Sequence, residues 1–151
     1  MRLALFLIII PFFSNATAVK IFHDREFTLP ENCYMVVRGG HENDFTCPVS
    51  SDRFRSISFP LLEEVEEENK EHFDSLKSRL ETEATDLRLL SFTTKEIEER
   101  LHSLEVWELN GITNYSYTIC DYRSCIRISA NEFSFIESLG KTISSEIIEI
   151  N

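Results

Sequence analysis

Signatures of catalysis are missing from this 151-residue chain. It has no G-x-S-x-G nucleophile turn, no H-E-x-x-H zinc helix and no glycine loop of the kind that cradles phosphate. Its four cysteines, Cys33, Cys47, Cys120 and Cys125, form an even set best used in disulfides, which leaves no thiol nucleophile. Carboxylate pairs such as Glu63 with Glu67 and Glu64 with Glu68 share a helical face, but a glutamate-rich segment produces such pairs by chance. Metal-binding patterns are missing too. The cysteine spacings, C-x13-C and C-x4-C, match no common zinc finger. His41-Glu42-Asn43-Asp44 offers hard ligands without calcium-loop spacing, and His23-Asp24 is no more specific. These absences point away from an enzyme and from any cofactor.

Positive charge is also scarce. Fifteen basic residues face 26 acidic ones, a net charge of −11. Nucleic acid and anionic membrane surfaces attract basic proteins, so both are disfavoured as partners, while a basic protein surface stays possible. Long apolar runs are confined to the start. "LALFLIIIPFF" follows Arg2 and precedes Ala16-Thr17-Ala18, a small-x-small site. The run is shorter than the roughly 20 residues a membrane span needs. Residues 1–18 therefore read as a signal peptide, cleaved after Ala18. No later segment approaches a membrane span, and the C-terminal "EIIEIN" is too short and too charged for a lipid-anchor signal. The expected product is a single secreted, extracellular domain, residues 19–151.

An oxidising destination suits two disulfides. Loop-closure entropy favours near partners, so the expected pairs are Cys33 with Cys47 and Cys120 with Cys125. The first would close a polar loop, a constraint contributing on the order of 3 kcal/mol. Residues 19–59 read as short strands and loops, with "CYMVV" ending at Gly39-Gly40 as the best strand.

Between Leu61 and Leu90 there is neither glycine nor proline, and from Leu61 to Glu105 fourteen acidic residues face six basic ones. Leu62, Val65, Asn69, Phe73, Leu76, Leu80, Ala84 and Leu87 recur at helical spacing, which predicts one long amphipathic helix. Thr93 with Glu96 forms a capping box, and Ile97, Leu101 and Leu104 continue a stripe, which predicts a second helix. Residues 60–105 are thus expected to form an acidic helical hairpin, with His72 and His102 on its flanks. Spacing near 3.6 rather than 3.5 favours packing on the chain's own domain over a coiled coil, and so a monomer.

Strand patterning follows in residues 106–129. Asn110-Gly111 suits a type I′ turn, and "SYTIC-DYRS-CIRIS" sets Cys120 opposite Cys125. The same register pairs Ile119 with Ile126 and Tyr117 with Ile128 on an apolar face. Thr118 with Arg127 and Ser116 with Ser129 fall on the polar face. Residues 130–151 read as helix or strand: Ser129 with Glu132 and a Gly140 stop favour the former, the alternation of Phe133 and Phe135 the latter. The predicted fold class is α+β: a small secreted disulfide-bonded domain with a central helical hairpin and a C-terminal antiparallel β-meander.

Asn114-Tyr115-Ser116 is a glycosylation sequon, and the register sets Asn114 on the polar, accessible face. The same register puts Trp107 opposite Asn114, with Leu109 and Ile112 beside them. Large aromatics are usually buried, so a bulge, a covering element or a partner must account for Trp107 there. The expected function is non-catalytic binding of an extracellular protein, as ligand, modulator or effector. The surfaces expected to carry it are Trp107, Leu109 and Ile112, and the acidic helix face with Glu67, Glu68 and Glu71. The alternatives are a structural protein that oligomerises through its long helix and a small secreted hydrolase.

Overall fold

A computed structural model describes residues 19–22, 25–29, 33–37, 43–47, 55–60, 65, 70–83, 86–122 and 124–150. The expected signal peptide lies outside the described residues, as do Glu67 and Glu68. Strands β1 (Val19–Phe22) and β2 (Arg25–Thr28) form a separate two-stranded ribbon. The other seven strands form one sheet. They are β3 (Tyr34–Val37), β4 (Asn43–Thr46), β5 (Arg55–Ser58), β6 (Leu87–Ile97), β7 (Arg100–Leu109), β8 (Ile112–Cys120) and β9 (Cys125–Ala130). Their order is β3-β4-β5-β9-β8-β7-β6, and every pair is antiparallel. Helix α1 (Lys70–Glu83) lies between β5 and β6 in sequence, and helix α2 (Phe133–Ile143) follows β9.

This architecture corrects the expected fold class. Among the described residues there is no central helical hairpin. The first predicted helix is present only in part, since Leu87 already starts β6. The second predicted helix is the hairpin β6–β7. His102, Leu104 and Val106 are buried in alternation along β7, and Thr93 and Thr94 lie in β6. Alternate burial against a paired strand is worth more than one capping box. The turn between β6 and β7 is Glu98-Glu99, held at φ 53° and 60°. Glutamate is a poor residue for the left-handed region, which is why the sequence hides this hairpin. Glu99→Gly is expected to stabilise the protein by about 1 kcal/mol, read as a higher urea midpoint at unchanged slope.

The strands expected as a terminal meander instead lie at the centre and one side of the large sheet. Their registers are as expected: Leu109 pairs with Ile112 across Asn110-Gly111, and Cys120 with Cys125, Ile119 with Ile126, Tyr117 with Ile128. Asn110 and Gly111 both have positive φ, at 52° and 77°. The disulfides are Cys33–Cys47 and Cys120–Cys125, a pair of bonds compatible with an extracellular location.

The sheet has two different faces. The first carries Ile57, Leu104, Val106, Tyr117, Ile119, Ile126, Ile128 and Ala130, all buried beneath α2 residues Phe135, Ile136, Leu139 and Ile143. Each fully buried isoleucine there contributes about 1.5–3 kcal/mol. Arg55 pins the start of α2, pairing with Glu132 at 2.6 Å and stacking 4.7 Å from the Phe135 ring centre. Gly140 does not stop the helix, which runs on to Ile143. A side chain at Gly140 would meet Ile147 at 3.2 Å, so the missing Cβ lets the C-terminal segment pack on α2.

The second face is polar at its centre, where Ser116 and Ser129 hydroxyls meet at 2.9 Å and Arg127 Nε donates to Thr118. Val65 covers the Cys120–Cys125 disulfide, and Phe73 of α1 stacks on Phe92 of β6 at 5.3 Å. Val65 and α1, which come between β5 and the edge strand β6 in sequence, therefore lie on this second face.

Candidate functional site

The second face ends in an apolar row at the β7–β8 turn. Leu87, Leu109 and Ile112 are cross-strand neighbours on β6, β7 and β8. One row inward, Leu89, Trp107 and Asn114 are aligned in the same way. Asn110 N–H donates to the Asp86 carbonyl at 3.2 Å and ties the turn to the start of β6. Leu109 and Ile112 are 40% and 44% exposed, well above the core, and Leu90 is 40% exposed. Trp107 is half-buried. The β7–β8 register is continuous, so no bulge returns Trp107 to the opposite face.

The candidate surface extends beyond the residues expected from sequence. A groove of about 440 Å³ runs between α1 and the start of β6, lined by Leu80, Leu87, Leu89 and Leu90 with Lys77 and Glu81 at its rim. Arg88 also lines it and reaches Glu108 at 3.2 Å. The leucines of β6 were not expected here, because their segment read as helix. Their signal was available in the β-branched and aromatic residues Phe92, Thr93 and Thr94 that follow. Of the expected acidic face, Glu71 is exposed on α1, next to exposed Asp74.

Asn114 is not on an accessible surface. It is 3% exposed. Its Nδ2, the atom a glycan would occupy, donates to the Ile112 carbonyl at 2.7 Å, and its Oδ1 accepts from Asn131. Burial in a cross-strand row thus corrects the accessible-face reading. The intact mass of the protein expressed through a secretory pathway is expected to show no glycan at Asn114; a mass that drops on enzymatic deglycosylation would oppose this.

His102 is no helix flank either. It is fully buried on β7, with Nδ1 2.7 Å from the Tyr117 hydroxyl. That hydroxyl accepts the Ile148 N–H at 3.0 Å. Burial pushes the Tyr117 phenol up to about 12, against a smaller opposing pull from the Ile148 N–H. Among the described residues no group of histidine, cysteine or acid side chains is placed to hold a metal ion, and no helix is long and apolar enough to cross a membrane.

No protein-family model matches the chain, and no curated protein matches it. Among solved structures it is similar to PA94, a protein of unknown function from Pseudomonas aeruginosa. That likeness has a TM-score of 0.43 and 9% identity, and covers 89% of this chain and 99% of the other.

Proposed function

We propose that the protein is a secreted, non-catalytic binder of an extracellular protein, acting as a ligand, modulator or effector through the apolar end of its second face. The observation that carries this reading is the row of Leu87, Leu109 and Ile112. Two of its members are open to solvent beside a half-buried Trp107, and the row continues into the α1–β6 groove. Apolar side chains clustered around an indole are the usual centre of a protein interface. The exposed acids Glu71, Asp74 and Glu81 along α1 suit a partner with basic residues at its rim.

The helix-mediated oligomer is less well supported. Phe73 is the buried residue of α1, and it is turned onto Phe92 within the chain. Affinity capture with the mature, oxidised protein from the fluid into which it is secreted, followed by mass spectrometry, tests the binding reading. Leu109→Ser with Ile112→Ser removes exposed apolar area without touching the core. It is expected to weaken a captured partner about tenfold or more. Undiminished capture by this variant and by Trp107→Ala would show that the patch is not the site.

A further inference from the structure

The sheet's two edges differ. β3 is four residues long, and shortness is one way of blunting an edge. β6 is eleven residues long and, among the described residues, has a strand neighbour on one side only. Thr93, Thr94, Lys95 and Glu96 are exposed in succession, so neither face of this length is covered. In a two-residue hairpin the closing pair, here Ile97 with Arg100, exchanges both of its hydrogen bonds. Alternation then aims the main-chain groups of Phe92, Thr94 and Glu96 outward. Such a row of donors and acceptors is complemented by another extended strand. The regular run ends at the bulge between Leu89 and Ser91, where the groove beside Leu80 opens.

We propose that the outer edge of β6 is a docking site for an extended segment of a partner protein, added antiparallel, basic toward its N-terminal end and apolar toward its C-terminal end. Antiparallel addition brings the partner's N-terminal end to Glu96 and Glu99, both exposed, with Glu146 close enough to reach Lys95 at 3.9 Å. It brings the C-terminal end to the leucine-lined groove. A second copy of this chain is a poor occupant, because two chains of charge −11 repel. The edge does not depend on the Leu109–Ile112 patch, and variants at the two places separate the two readings.

A random peptide library displayed on phage, selected against the full oxidised chain, supplies the probe. Thr94→Pro removes one outward N–H and leaves the ladder to β7 in place. Enriched peptides are expected to run from basic to apolar, to bind about tenfold more weakly to Thr94→Pro, and to slow amide exchange at Thr94 and Glu96. Binding that ignores Thr94→Pro, peptides that leave those amides unprotected, or an absence of enrichment would overturn the proposal. So would a dimer seen by light scattering with the β6 amides already protected. If circular dichroism shows Thr94→Pro unfolded, amide protection in the unaltered chain decides.

Discussion

Tyr117→Phe is expected to destabilise the protein by about 3 kcal/mol although it keeps the whole ring. The lost oxygen serves two buried groups. It accepts the Ile148 N–H at 3.0 Å, and it lies 2.7 Å from His102 Nδ1. Tyr117 and His102 are both fully buried, so water cannot replace the hydroxyl without a rearrangement. Each polar group left without its partner costs about 1–3 kcal/mol. The damage should be focused on the C-terminal segment. Ile147 and Ile148 are buried against the core, but the segment is irregular, and the Tyr117 hydroxyl is its buried polar anchor. Thermal unfolding should fall by on the order of 10 °C. Amide exchange at Ile148 should quicken more than exchange in β8 and β9. An unchanged midpoint would mean that the hydroxyl contributes nothing net.

The same hydroxyl makes stability depend on alkaline pH. The Tyr117 phenol is held above its ordinary 10.0, at about 12, so the folded state keeps its proton more tightly than the unfolded chain does. The resulting stabilisation is fully present below pH 10 and is lost as pH rises from 10 toward 12. Its size is on the order of a few kcal/mol. Tyr117→Phe should lack this step, and its stability should fall less steeply over that window. Urea midpoints measured across it, with tyrosinate absorbance as a second signal, give the comparison directly.

What could be read in advance depended on whether the turn chemistry was local. Asn110-Gly111 names its own turn, and the four residues between Cys120 and Cys125 leave one register that sorts apolar from polar residues. Both hairpins were therefore legible down to the pair. Glu98-Glu99 names nothing. The residues around it satisfy a helix equally well, since Ile97, Leu101 and Leu104 are spaced as a helical stripe. In the sheet these three divide between faces: Ile97 and Leu104 are buried, and Leu101 is 41% exposed. That exposure shows which period prevailed. The seven-stranded sheet was illegible for a related reason, because β5 pairs with β9, a strand separated from it in sequence by α1 and three other strands. At the proposed site, the shared face of Trp107, Leu109 and Ile112 was legible from the hairpin register, whereas the β6 leucines required the hidden turn.

Phe73→Ala is expected to release α1 from the sheet. A phenylalanine truncated in a core costs about 3–5 kcal/mol, and Phe73 is 6% exposed and stacked on Phe92. The rest of α1 offers little to hold it in place. Leu76 and Leu80 are only half-buried, and the Arg79–Glu83 pair at 3.8 Å is exposed, worth a few tenths of a kcal/mol. A helix of 14 residues is marginal alone in water. Detachment therefore limits the damage: α1 should leave before the first face, with its isoleucine core under α2, loses cohesion. Amides of residues 70–83 are expected to exchange at nearly unfolded rates while those of β8 and β9 stay protected. The groove should vanish with the helix, and any binding that uses Leu80 should vanish with the groove. Phe73→Leu keeps an apolar plug but not the ring stack, and should cost about 1 kcal/mol with α1 still in place. Protection of α1 left intact by Phe73→Ala would mean that the helix is held from elsewhere. In that case the groove belongs to the rigid frame of the sheet rather than to one aromatic contact.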